Sequence, residues 1–226
     1  MQTGNVCCAR RLFTVCVYTK ERIMNISDEI REQHIAETIK GRRSMGRMTE
    51  ERPTHEQVTR ILESATYAPN HHRIEPWKFF VVSGKAREAL GQVMADALIA
   101  RLEETLSEKA HAKIQKERQK PLQAPLLIAV AVERTQESWV REIENIEAVA
   151  AAVQNMLLTA EALGLASLWR TGDAAYDRSV KAWFGLGPND HIVAFVYLGF
   201  AAGPRPERTP TSYTAKTRWL GWDEPQ

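Results

Sequence analysis

The residues best equipped to do chemistry fall into three short groups. The first is Arg42-Arg43-Ser44, with Arg47 close behind. Two guanidiniums and a hydroxyl at a helix end can meet a phosphate with several charge-assisted hydrogen bonds. The same triplet also reads as a basic helix terminus complementing its own dipole. The second group is Tyr67-Ala68-Pro69-Asn70-His71-His72-Arg73, running on to Pro76-Trp77. Prolines on both sides stiffen a loop that displays amide, imidazole and guanidinium groups, a set suited to orienting a flat heterocycle. Metal binding by His71 and His72 would need a third ligand at a known spacing, and none follows; both also read as ordinary loop residues. The third group is Trp169-Arg170-Thr171-Gly172, just past a short strand, where layered folds of helices and strands tend to bind ligands. Its alternative is a buried tryptophan followed by solvated polar residues.

The usual nucleotide and metal signatures are missing. There is no G-x-G-x-x-G after a strand, no G-x-x-x-x-G-K-[ST] loop, no H-E-x-x-H and no C-x-x-C. A nucleotide here must be held by side chains rather than by a glycine-rich turn.

The elements that position these groups are legible from patterning. Asn25 to Lys40 reads as a helix with Ile35, Ala36 and Ile39 on one face, broken by Gly41 just before the basic triplet. Thr54 with Gln57 is a capping box, and Val58, Ile61, Leu62 and Ala65 follow at helical spacing up to about Tyr67. Pro69 ends that helix. Trp77 to Val82 reads as a strand closed by Ser83-Gly84. Lys85 to Arg118 reads as a long helical stretch, broken at most once, whose charged far half suits a solvated face. Leu126 to Val132 is apolar throughout and is expected to be a strand buried on both faces. Glu147 to Leu163 is a helix apolar nearly all round, with Gly164 as its stop. Ala166 to Trp169 is a short strand, Ala174 to Phe184 a short helix and His191 to Leu198 a last strand. The tail from Gly203 is rich in proline yet carries Trp219 and Trp222, so it needs a surface to lie against. Strands separated by long helices indicate a layered α+β or α/β fold.

Composition excludes several classes. The 226 residues suit one domain, or at most two small ones, with 44% hydrophobic residues and a net charge of +2. That charge balance lacks the basic stripe of a nucleic-acid binder, and no apolar run is long enough to span a membrane. Residues 1–24 are expected to be a poorly ordered extension, with Met24 a candidate start and residues 25–226 a single domain. A secretory signal is the other reading of the Leu12 to Tyr18 run, but no small-residue cleavage site follows it. All three cysteines, Cys7, Cys8 and Cys16, lie there, so the rest of the chain uses no disulfide, as suits the cytoplasm.

Taken in order, Arg42-Arg43-Ser44, the loop Ala68 to Arg73 with Pro76-Trp77-Lys78-Phe79, and Gly164 to Gly172 with its Trp-Arg-Thr-Gly resemble the motifs of nitroreductase-family flavoproteins. The likeness is greatest to a small bacterial branch with A-P-[ND]-H and W-R-[ST]-G, and it runs from about Ile39 to Phe200. It implies a three-layer α/β/α form of the α+β class, with a mostly antiparallel central sheet and a domain-swapped tail. It implies a homodimer with FMN at the subunit interface, NADH or NADPH as donor, and a small acceptor such as a nitroaromatic or quinone, reduced by ping-pong turnover. Arg42, Arg43 and Ser44 would contact the ribityl phosphate and the pyrimidine edge. Tyr67 and His71 would reach the flavin from the partner, and Trp169, Arg170 and Thr171 would line the isoalloxazine on the other side. The apolar helix would be the central dimer helix, and Arg205 or Arg208 would add a phosphate contact. No side chain need act as acid or base. Two departures stand out: Gly46 replaces the last arginine of the frequent R-R-S-x-R, and His72 and Arg73 stand where a common asparagine would be. Both bear on the substrate range.

Overall fold

The computed structural model describes residues 28–134 and 139–222. The expected extension 1–24 and the start of the first helix lie outside them. Residues 28–41 form helix α1, which ends where Gly41 gives way to the basic triplet. Helix α2 is His55–Thr66, and its start is built as the sequence implies: the Thr54 hydroxyl accepts from the Gln57 N–H at 3.2 Å, and the Gln57 side chain accepts from the Thr54 N–H at 2.9 Å. Strand β1 (Trp77–Ser83) follows. The expected long helix is two, α3 (Lys85–Ile99) and α4 (Glu108–Gln119), the second opened by the Ser107 hydroxyl. Then come β2 (Leu126–Val132), α5 (Glu142–Ala162), β3 (Ala166–Arg170), α6 (Arg178–Trp183) and β4 (His191–Gly199).

Besides shifts of a single residue, three differences from the sequence reading stand out. Helix α5 starts at Glu142, five residues before the expected Glu147, with Asn145 buried and Ile146 packed against the core in the added turn. The expected helix from Ala174 is split, since Asp177 leaves helical geometry and caps α6 through Ser179 N–H at 2.8 Å. Strand β3 includes Arg170, so that residue belongs to the sheet and not to the loop beyond it.

The four strands pair antiparallel in the order β1-β2-β4-β3. Alternation along β2 sends Leu126, Ile128, Val130 and Val132 to one face and Leu127, Ala129 and Ala131 to the other, and all seven are buried. On the first face lie α2 and α5, bringing Val58, Ile61, Ala65, Val149, Val153 and Met156. On the second lie α3 and α6, bringing Leu90, Met94, Val180 and Phe184. The result is a helix–sheet–helix sandwich. A bulge inserts Val193 into β4, so Ile192 and Phe195 share one face despite their odd separation.

Helix α3 lies against the turn after α4 with no side chain between them at Gly91. A Cβ there would collide with the Arg118 carbonyl oxygen and touch Pro121. Gly91→Ala should therefore lower stability by roughly 1–3 kcal/mol. Gly203→Ala, at an exposed position with no heavy atom near its would-be Cβ, should change it little. Urea unfolding midpoints measure both.

Candidate functional site

The chain leaving α1 runs along the outer edge of the sheet. Ser44 bridges to Ser167 of β3 in parallel sense, and the Met45 N–H donates to the Ser167 carbonyl at 3.0 Å. A few residues on, Thr49 N–H donates to Phe200 O at 2.9 Å, and Ala202 N–H to Arg47 O at 3.1 Å. The basic triplet is thus stitched to β3 and to the end of β4. Beyond Ser167, the outer edge of β3 carries no strand among the described residues, so the backbone of Trp169 to Thr171 offers unpaired groups there.

The three residues of the triplet take different parts. Arg43 works on the helix end: its Nη1 donates to the Lys40 carbonyl at 2.6 Å and to the Arg42 carbonyl at 2.9 Å, and its Nε donates to Pro206 O at 2.8 Å. It neutralises the negative end of α1 and ties down the start of the tail. Among the described residues, the Arg42 side chain has no hydrogen-bond or ion-pair partner, and Ser44 is exposed beside it. Arg205 forms an ion pair with Glu161 at the end of α5.

Alternation on β3 separates the residues of the third group. The Trp169 ring lies against the α2–α5 core, its indole N–H donating to the carbonyl of the bulged Val193 at 3.1 Å. Arg170 points to the α3–α6 side, where its Nη1 donates to Gln123 Oε1 at 2.7 Å and its guanidinium carbon sits 5.4 Å from the centroid of the Tyr197 ring. A Cβ at Gly46 would stand 3.9 Å from Arg170 Nη2, so the triplet's loop passes directly beside this cation. Thr171 is exposed at the strand's end. Ser44, Gly46, Arg170 and Thr171 therefore share one corner of the sheet, while the Trp169 side chain faces away from Arg170.

Tyr67 and His71 are elsewhere. Tyr67 closes α2 and is 85% exposed. The turn His71–Arg73 rests on the first turn of α5, with His71 Nε2 3.9 Å from Glu144 Oε2. His72, Arg73 and Glu75 all have positive φ, near +50° to +57°, a conformation that non-glycine residues rarely hold. The His72 ring meets the Trp139 indole edge-on at 5.0 Å. Gly41, just before the triplet, sits beside Glu161 at one end of α5 and His71 near Glu144 at the other, 17 residues or roughly 26 Å along the helix.

The motif reading did not single out Gln123, Tyr197, Lys120 or Glu117. Tyr197 carried a signal, the lone hydroxyl in a strand apolar from Ile192 onward; Gln123 reaches Arg170 from the turn after α4. Burial pushes the Tyr197 phenol up to about 12, against the pull of the Arg170 cation and with help from the Glu117 carboxylate. Among the described residues, no group of three or more His, Cys, Asp or Glu is arranged to hold a metal ion.

This layout is that of a known class of proteins. The profile of the nitroreductase family matches residues 39–200. YdjA of Escherichia coli K12, whose name assigns it provisionally to the NAD(P)H nitroreductases, is 36% identical over 72% of this chain and 86% of its own. The nitroreductase-like family protein of Bacillus cereus superposes with a TM-score of 0.69 at 27% identity, covering 83% of this chain and 96% of that one. A nitroreductase of Bacteroides fragilis with bound FMN gives 0.62 at 25% identity, covering 82% and 98%. The chain belongs to the nitroreductase family.

A phenol held above its ordinary pKa of 10.0 adds stability that is whole below that value and is lost as pH rises toward 12, because the unfolded chain ionises first. Wild type should therefore lose on the order of 2 kcal/mol more than Tyr197→Phe between pH about 9 and about 12. Urea midpoints for both proteins across that range test it.

Proposed function

We propose that the protein is an FMN-dependent oxidoreductase that works as a homodimer. It takes electrons from NADH or NADPH and hands them to a small acceptor, such as a nitroaromatic or a quinone, by ping-pong turnover. The observation that carries this reading is the corner where Arg42 and the outer edge of β3, both unpartnered among the described residues, converge with an exposed Ser44 and the Arg170 guanidinium. The cofactor and donor come from the family relatives: FMN from the Bacteroides fragilis structure and NAD(P)H from the name of YdjA.

The donor set fits a flavin mononucleotide. Arg42 and the Ser44 hydroxyl offer the charge-assisted hydrogen bonds that a phosphate requires. Arg43 removes the negative helix end that would otherwise repel it. The edge backbone of Trp169 to Thr171 can pair with the polar rim of a flat ring system, with the Trp169 side chain anchoring the strand from behind. Arg170, fixed by Gln123 and Tyr197, places a cation where an electron-rich ring is stabilised. FMN, when bound, supplies the two-electron chemistry between nicotinamide and acceptor. No protein side chain is required as an acid or base.

The dimer reading is supported by what the single chain leaves uncovered. Ile30, Ile35 and Ile39 of α1 are 47 to 61% exposed. A groove of about 320 Å³ between α1, α2 and α5 is lined by Ile35, Ile39, Leu158 and Leu163. The tail from Gly203 onward is exposed throughout its described length, with Tyr213, Trp219, Leu220 and Trp222 open. Apolar surface of this extent is suited to a second copy, which the tail would embrace. That copy would bring its own Tyr67 and His71, some 26 Å along α5 in each chain, to the partner's flavin corner. A cytoplasmic setting agrees with the absence of cysteine beyond Cys16.

The purified protein should show a flavin absorbance that bleaches when NADH or NADPH is added without oxygen. A flavin that stays oxidised with both donors would make this a flavin-storage or sensory protein; a colourless protein that fails to take up free FMN would overturn the reading. Subunit mixing tests the shared site. Arg42→Ala and the double variant Tyr67→Ala/His71→Ala should each weaken FMN binding at least about tenfold, the equivalent of about 1.4 kcal/mol. A mixed dimer of the two carries both defects in one site and none in the other, so it should recover one tight site per dimer. Failure to recover would mean that a single chain supplies all the contacts.

A further inference from the structure

We infer that the cleft between the turn Asp173–Tyr176 and the chain leaving α3 binds the adenosine 5′-phosphate half of the nicotinamide donor, and takes it without a 2′-phosphate. The inference rests on the donor chemistry proposed above. The cleft holds about 470 Å³ and is lined by Arg101, Asp173, Tyr176, Asp177, Arg178 and Ser179. That volume equals roughly fifteen waters at about 30 Å³ each, which is room for a base, a ribose and a phosphate. None of these residues belongs to the corner formed by Ser44, Gly46, Arg170 and Thr171.

The fold sets the cleft beside that corner. Gly172, at φ +73°, turns the chain off β3 and into the Asp173–Tyr176 turn. Ala174 and Ala175 are buried in the α3–α6 layer, which leaves Asp173 and Tyr176 exposed on either side of them. Thr171 and Tyr176 are five positions apart, so their Cα atoms lie at most about 18 Å from each other. A dinucleotide with its nicotinamide at the corner reaches that far with its adenosine.

Each part of an adenosine 5′-phosphate has a group to meet. Tyr176 is 71% exposed, an open ring that a purine can cover. The Arg101 and Asp177 charges cancel in an ion pair of 2.6 Å, and the other Asp177 oxygen accepts from the Ser179 N–H at 2.8 Å. Arg178 and Asp173 are exposed, and neither has a hydrogen-bond or ion-pair partner among the described residues. A free guanidinium suits a phosphate, and a free carboxylate accepts from ribose hydroxyls, as acidic residues do in other dinucleotide sites. With Arg101 paired, one cation and one anion remain, so the cleft carries no surplus positive charge. A polyanion such as nucleic acid gains little there. A 2′-phosphate would set up to roughly two further negative charges against Asp173, which favours NADH over NADPH.

The test uses the full chain as purified, with whatever flavin it holds. Calorimetry or ligand-observed NMR follows titration with AMP and with adenosine 2′,5′-bisphosphate, and the flavin absorbance of the same sample is recorded separately. AMP should bind, and the bisphosphate at least about fivefold more weakly. Tyr176→Ala and Arg178→Ala should each weaken AMP roughly five- to tenfold, as expected for one stacked base or one charged hydrogen bond. Both positions are exposed, so the two variants should fold. Asp173→Asn should narrow the gap between the two nucleotides. In turnover, reduced nicotinamide mononucleotide, which lacks the adenosine half, should show a KM at least about tenfold above that of NADH, and Tyr176→Ala should move NADH toward it. No AMP binding at millimolar concentration, undiminished binding in both alanine variants, equally tight binding of the bisphosphate, or equal KM for NADH and the mononucleotide would each overturn the inference. AMP binding to a colourless protein would support the cleft while refuting the flavin reading, and a flavin that bleaches in a protein without AMP binding would do the reverse.

Discussion

The complete burial of β2 constrains everything else in this chain. Its seven residues carry no polar side chain, and both faces are sealed by helices. A sheet centred on such a strand has no open surface for a ligand. Polar chemistry is forced to the margins: to the outer edge of β3, to the turns at the strand ends, and to gaps where a helical layer stops short. All three candidate groups lie in such places. The Ser44 segment borders the β3 edge, the His71 turn leads into β1, and Arg170 closes β3. Covering the centre on both sides is therefore what makes the edges available.

Period and capping made most of the fold legible in the sequence. The Thr54–Gln57 box, the seven apolar residues of β2 and the glycine after α5 each have a local cause, and each element stands where that cause puts it. What could not be read arises from partners distant in sequence. Nothing near Asn145 signals that it will be buried, so the true start of α5 was invisible. The bulge at Val193 depends on β4 meeting β2 out of step. The left-handed turns at His72, Arg73 and Glu75 break a rule that sequence reading relies on.

The site was legible as a set of groups but not as an arrangement. The order of the motifs placed Arg42 to Ser44 and Trp169 to Thr171 among the residues to watch, and the sheet brings parts of both together. Strand alternation then divides Trp169 from Arg170, a consequence of Arg170 lying inside β3 where the sequence had suggested a loop. Adjacent residues in a loop can share a ligand through their side chains; adjacent residues in a strand cannot. Trp169 thus supports the edge through its indole and offers only its backbone to the corner, whereas Arg170 offers charge. Gln123 and Tyr197 escaped notice because their role is to hold another side chain, which no motif records.

Arg43 joins stability to assembly. One guanidinium caps the last carbonyls of α1 and also holds Pro206, where the tail begins. Arg205, its neighbour on the tail, pairs with Glu161 near the end of α5. The tail therefore leaves the domain from a defined point and in a defined direction, beside Arg42 and Ser44. A fully flexible tail would lose a large ordering entropy on meeting another surface. A tail already clamped at its root loses less, and on the dimer reading the clamp lies at the corner that a partner's loop would reach. On the dimer reading, the same few hydrogen bonds finish the helix, aim the tail and keep Arg42 free, so the monomer's fold and the completed site draw on one junction.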